Sequence, residues 1–224
     1  MIETKQLVKT FKNGDVLTPV LKGIDFKARE GEWVAIMGRS GAGKSTLLYQ
    51  ISLLDDPTDG EVIVDGHETR SMSSNEKMLF RLAKFGFVFQ DYALLPELTA
   101  LENVALPLLM QGLSKTEAYK ESIAAMEKAD LGHRLGNLPS QLSGGEQQRV
   151  SIVRAVAHKP KVLFADEPTA NLDNESAKRI MEIFTELHKT GQTIIMVTHE
   201  EQYAKLAERV VHLDDGRIIS EQKN

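Results

Sequence analysis

The stretch Gly38-Arg39-Ser40-Gly41-Ala42-Gly43-Lys44-Ser45 combines glycines, a lysine and a hydroxyl at the P-loop spacing, which suits a polyphosphate ligand. A triphosphate concentrates negative charge, and a chain of little bulk can wrap it closely with backbone N–H groups. A helix beginning at the end of the loop would add unpaired donors and the positive end of its dipole. Lys44 would reach the β- and γ-phosphates, Ser45 would offer its hydroxyl to Mg²⁺, and Thr46 would lie near the α-phosphate. The bland alternative is a glycine-rich structural turn. The strand-like Trp33 to Met37 before it and the helical Leu47, Leu48 and Ile51 after it argue against that. The motif alone does not separate a kinase, a GTPase, a helicase and a transporter ATPase.

A second group carries charge of the opposite sign. Val162-Leu163-Phe164-Ala165 is an apolar run ending in Asp166-Glu167. A strand here would let Asp166 hold Mg²⁺ directly or through water. Side chains alternate along a strand, so Glu167 must diverge from Asp166 and is left to orient or deprotonate an attacking water. His199 follows another sheet-like run, Thr193 to Val197. It would emerge on the carboxyl edge, where open α/β sheets bind ligands, and could hydrogen-bond a γ-phosphate. Gln90 ends the run Phe85 to Phe89 and could touch Mg²⁺ or the water; without that context it reads as a surface glutamine.

The elements that must position these groups alternate. Ile2 to Phe11 and Val16 to Phe26 are strand-like around a tight-turn signal, Asn13-Gly14. Buried strands separated by long helical stretches imply a mainly parallel sheet with right-handed crossovers. From about Asp91 to Lys159 no strand-like run occurs. Ser114 and Glu117 form a capping box there, followed by Ala118, Ser122, Ala125, Met126 and Ala129 as a stripe of small residues, with Gly132 as the expected end. Pro107 and Pro139 are expected to break this region into pieces. A helix from about Asn174 to Lys189 should stop near Gly191, and the tail should form a hairpin turning at Asp214 to Gly216. The fold expected is α/β: a P-loop NTPase core with an N-terminal antiparallel β-subdomain and an inserted helical subdomain. As a single domain over 1–224, it assigns 1–90 and 160–224 to the β-subdomain and catalytic core, and 91–159 to the helical insertion.

Composition limits the alternatives. The 224 residues carry a formal charge of −5, which argues mildly against a nucleic-acid backbone as ligand. Without cysteine there is no disulfide, thiolate metal site or cysteine nucleophile. No apolar run reaches the roughly 18 residues that span a bilayer, and the first twelve residues lack a secretory apolar stretch. The expected location is the cytoplasm.

Leu142-Ser143-Gly144-Gly145-Glu146-Gln147-Gln148-Arg149 discriminates among these classes. Locally it is a helix start, with Ser143 as cap and Glu146 completing a capping box. Two glycines beside a helix N-terminus also offer a second anion site. One nucleotide does not need two cradles from one chain, and two chains arranged head to tail resolve the surplus.

With this stretch the sequence resembles, over essentially its whole length, the ATP-binding subunit of ABC transporters. Leu142 to Glu146 is similar to that family's signature, Gln90 to its Q-loop, Asn171-Leu172-Asp173 to its D-loop and His199 to its switch histidine. Phe11 stands where the family places an adenine-stacking aromatic, although a strand-core role is the alternative. Ala42 replaces a commoner serine, but its backbone is what matters. Phe87-Val88-Phe89-Gln90, Leu98 to Val104 and Ala165 to Asp173 resemble the branch of lipoprotein-release and macrolide-export systems.

The resemblance implies a homodimer closing on two ATP–Mg²⁺ units, each held between one P-loop and the partner's Ser143 to Gly145. Asp173 would lie at the seam, and Gln90 would carry nucleotide state to the helical subdomain. The stretch Asp91 to Leu101 would receive an integral membrane subunit, placing the chain on the inner face of the membrane. Two other outputs fit the same motifs: regulation of a non-transporting membrane partner in cell division or cell-wall remodelling, and a soluble role in DNA repair or translation. The latter usually brings coiled-coil insertions or paired cassettes, neither of which is present.

Overall fold

The computed structural model describes residues 1–224. Strands β1 (Ile2–Asn13) and β2 (Val16–Ala28) come first, then β3 (Trp33–Met37) and helix α1 (Lys44–Ile51). Next are β4 (Asp59–Val64), β5 (His67–Glu68), α2 (Ser74–Lys84) and β6 (Phe85–Val88). Helices α3 (Ala100–Met110), α4 (Lys115–Lys128) and α5 (Gly144–Val156) precede β7 (Val162–Asp166) and α6 (Asn174–Lys189). The chain closes with β8 (Thr193–Val197), α7 (Glu201–Ala204), β9 (Arg209–Asp214) and β10 (Arg217–Lys223). Two compact units result, one from 1–81 with 188–224 and one from 82–187.

The first unit contains an antiparallel sheet in the order β2-β1-β4-β5. Its leading hairpin pairs Asn13 with Val16, so Gly14 and Asp15 are the two loop residues. Gly14 rather than Asn13 takes the first central position, at φ 60°. The same unit sets β3 between β8 and β9, parallel to both. All five residues of β3 and all five of β8 are buried, as a continuous apolar run covered on both faces requires. β9 and β10 form the expected hairpin, with Asp215 (φ 42°) and Gly216 (φ 71°) both left-handed at the turn.

In the second unit β6 and β7 run parallel, Val88 opposite Ala165. Its helices enclose a core of Ala100, Val104, Met126, Leu131, Leu142, Val150 and Val153, with Ala105, Leu108 and Ala118 as a neighbouring cluster. α3, α4 and α5 each begin with a complete capping box, from Thr99/Glu102, Ser114/Glu117 and Ser143/Glu146. Two expectations fail here. Pro107 lies inside α3 instead of breaking it. It removes one backbone bond near the helix end, while Val104, Ala105 and Leu108 keep that turn on the core. α4 ends at Lys128, short of Gly132, because Asp130 turns left-handed (φ 57°) and the Leu131 amide closes back on Met126.

Asn103 is fully buried and holds the loop ahead of α3. Its side-chain oxygen accepts from the Leu95 amide at 2.8 Å, and its amide donates to the carbonyls of Leu95, Leu98 and Thr99 at 3.0–3.1 Å. Asn103→Ala strands several of these groups and should cost about 2–3 kcal/mol. Urea unfolding of the two proteins checks this, since a midpoint shift below the measurement error would remove Asn103 from that role.

Candidate nucleotide site

The first unit shapes the phosphate loop by close backbone approach. A Cβ on Gly38 would stand 2.1 Å from the Leu213 carbonyl oxygen, so no larger residue fits where the loop leaves β3. Gly43 sits at φ 99° as the N-cap of α1, a conformation that costs other residues about 1–2 kcal/mol. Having no side chain, it gives the start of α1 no side-chain cap of its own, and no acidic residue stands in that first turn. Such an end attracts anions. Lys44 is buried and its ammonium donates to the Arg39 carbonyl of the same loop at 3.2 Å. The β9–β10 turn braces the loop from outside. The Gly216 amide donates to the Ala42 carbonyl at 3.1 Å, and the Gly216 carbonyl accepts from the Lys22 amide at 2.9 Å.

His199 leaves β8 on the same edge. Ile36 pairs with Val197, and the Thr198 amide donates to the Ile36 carbonyl at 3.2 Å, so the strands carrying the P-loop and His199 end side by side. His199 itself is exposed. Phe11 is 45 % exposed on β1 with the Lys9 ammonium 5.0 Å from its ring centroid. It is therefore no core residue.

In the second unit, Asp166 ends β7 and is buried, whereas Glu167 turns left-handed at φ 44°. A non-glycine residue held there is strained, a condition that clusters at functional sites. The loop beyond is pinned from α5: the fully buried Gln148 donates its amide to the Pro168 carbonyl at 2.7 Å. Gln90 is exposed just past β6, and its carbonyl accepts from the Asn171 side chain at 3.1 Å. Asp173 accepts from the Ser176 amide at 2.9 Å and hydroxyl at 2.8 Å, capping α6. These hydrogen bonds hold its carboxyl below the usual range.

Ser143 and Glu146 bond reciprocally at the start of α5, the Ser143 amide and hydroxyl donating to the Glu146 carboxylate at 2.8 and 2.9 Å. The box uses the Ser143 and Glu146 amides and leaves those of Gly144 and Gly145 outside it. Both glycines also pack tightly: a Cβ would stand 2.9 Å from the Tyr92 hydroxyl at Gly144 and 2.8 Å from Ser176 Oγ at Gly145.

Residues 21–170 match the family model described as ABC transporter. The chain belongs to the ABC transporter family. It is 48 % identical over 202 residues to the lipoprotein-releasing system ATP-binding protein LolD of Aquifex aeolicus, covering 90 % of each chain. It is 43 % identical to the macrolide export ATP-binding/permease protein MacB of Brucella melitensis, covering 99 % of this chain and 34 % of that longer protein. Among solved structures, the ATP-binding cassette MJ0796 of Methanocaldococcus jannaschii, a dimer in a post-hydrolysis state bound to ADP and Pi, superposes with a TM-score of 0.93. That likeness runs at 41 % identity over 100 % of this chain and 98 % of the other, and it confirms the α/β cassette fold with its antiparallel β-subdomain.

Within this ABC cassette the motifs were legible, but Gln148 was not singled out. Its signal is a polar residue among Val150, Ile152 and Val153 on a helix with a buried face. Glu146 carries an electrostatic signature of its own. Burial pushes its carboxyl up, but the Ser143 amide and hydroxyl and the Arg134 guanidinium, whose Nε lies 2.7 Å away, outweigh this and hold it at about 2. A carboxyl held low in the folded state stabilises fully above its ordinary 4.5 and loses that contribution as pH falls toward about 2. Glu146→Gln retains the capping box and removes the charge. Urea midpoints measured from neutral pH downward should therefore show a wild-type decline through that window that is shallower in the variant. Parallel curves would contradict the assignment.

Proposed function

We propose that this chain is the ATP-hydrolysing subunit of an ABC system, working as an ATP-bridged homodimer that drives a separate integral membrane subunit. The observation that carries this is the α1 start: a P-loop whose following helix has no side-chain cap, on the sheet edge that also carries His199. In this reading Gly38 to Thr46 wrap the phosphates and Lys44 neutralises the β- and γ-oxygens. The Ser45 hydroxyl and the Asp166 carboxylate are hard oxygen donors of the kind that would hold Mg²⁺ beside the substrate phosphate. When bound, Mg²⁺ neutralises charge on the transferring phosphoryl group. Gln90 touches the metal or the water. Glu167 orients the water and takes its proton as the water oxygen bonds to the γ-phosphorus and the bond to the bridging β-phosphate oxygen breaks, ADP leaving with that electron pair, and His199 donates to the γ-phosphate.

The Gly144 and Gly145 amides, with Ser143, address the triphosphate held by the second copy. Asp173 lies at the seam, and Phe11 stacks on adenine. The helical stretch 91–159 receives the membrane subunit near Asp91 to Leu101, which holds the chain on the cytoplasmic face. No helix of this chain is long and apolar enough to cross a membrane, so the span comes from elsewhere. The names of the LolD and MacB relatives support lipoprotein release or export as the output.

Glu167→Gln should bind ATP, stop turnover and accumulate a dimer on gel filtration with Mg²⁺-ATP. Adding Ser143→Arg should return it to monomer with nucleotide binding intact, as judged by fluorescent-nucleotide titration. Brisk hydrolysis by the first variant, or a persistent dimer in the second, would overturn the corresponding role.

A further inference from the structure

The loop after Gln90 holds two successive non-glycine residues in the left-handed region, Tyr92 at φ 62° and Ala93 at φ 49°. Each costs about 1–2 kcal/mol, so something must hold them there. The holder comes from the last turn of α5. Arg154 donates to the Tyr92 carbonyl at 2.9 Å, to the Ala93 carbonyl, and to Ser151 Oγ at 3.4 Å. No carboxylate pairs with this guanidinium, and burial pushes its pKa down to about 10. A partly buried cation held by two backbone carbonyls and a hydroxyl, with no carboxylate, is a costly device for stability alone. Its planar fork does, however, fix two adjacent carbonyls at once.

The same helix begins at Ser143 and the Gly144-Gly145 pair, ten residues earlier. α5 is thus one rigid rod with the partner-facing signature at its start and a grip on the Gln90 loop at its end. Asn171, bonded to the Gln90 carbonyl and accepting from the Tyr92 hydroxyl at 3.5 Å, ties the D-loop into the same cluster.

We infer that Arg154 is a positioning residue for hydrolysis: by clamping Tyr92 and Ala93 it sets Gln90, so that movement of the signature helix and placement of Gln90 are one event. This rests on the role proposed above for Gln90. The test is a double-mutant cycle on the full chain, reading kcat and KM for Mg²⁺-ATP. Arg154→Met should lower kcat about tenfold with KM within about twofold, and Arg154→Lys, which keeps the charge but loses the fork, should fall between it and wild type. In the Gln90→Ala background Arg154→Met should cost little more, because its effect passes through Gln90. Losses that multiply in full in the double variant would overturn the clamp, as would kcat loss that merely follows the thermal midpoint across the series. If Arg154→Met does not fold, Arg154→Lys completes the cycle. A Gln90→Ala protein with wild-type kcat would instead sink the role of Gln90 itself, and the clamp with it.

Discussion

The peptide groups at the start of a helix have no partner within it, and how each helix satisfies them organises this protein. α3, α4 and α5 answer with reciprocal boxes of a hydroxyl and a carboxylate. α1 does not: Gly43 offers no side chain, and the first turn carries Lys44 and Ser45 rather than an acid. A box at that position would set a negative charge at the helix start, where the proposed role calls for phosphate. One chain thus holds helices whose own N-terminal side chains cap them and one whose N-cap is a glycine followed by a lysine and a serine.

α5 lies between these extremes. Its Glu146 carboxylate takes part of the cap and is stabilised as an anion by Arg134, yet the amides of the two glycines fall outside the box. The glycines also sit close to neighbouring side chains, since a Cβ at either would oblige the Tyr92 hydroxyl or the Ser176 Oγ to shift. In the proposed dimer the same small-residue pair would also meet the triphosphate of the second copy, so a substitution there would act on both the helix seat and that approach.

Apolar runs made β3, β7 and β8 readable nearly to the residue, because a strand buried on both faces has no other composition. β4 and α2 carry shorter local signals: Val62 and Val64 alternate before Asp65-Gly66, and Ser73 bonds Glu76 as a helix cap. Pro107 misled because core burial outweighs one lost backbone bond. Motif spacing indicated which strand ends and helix starts carry Lys44, Asp166, Ser143 and His199. It could not show that Glu167, Tyr92 and Ala93 are left-handed, since such angles are imposed by Gln148, Arg154 and other distant groups rather than by their own residue types. The capping role of Asp173 was within reach, as an acid three residues ahead of Ser176.

The brace that Gly216 provides to Ala42 joins positions far apart along the chain. A ribosome that has delivered the phosphate loop still has more than 150 residues to add before that brace exists. The nascent chain thus passes most of its synthesis with the Ala42 carbonyl lacking this bond. That bond can close only once the turn at Asp215 and Gly216 has been synthesised and folds back on the loop.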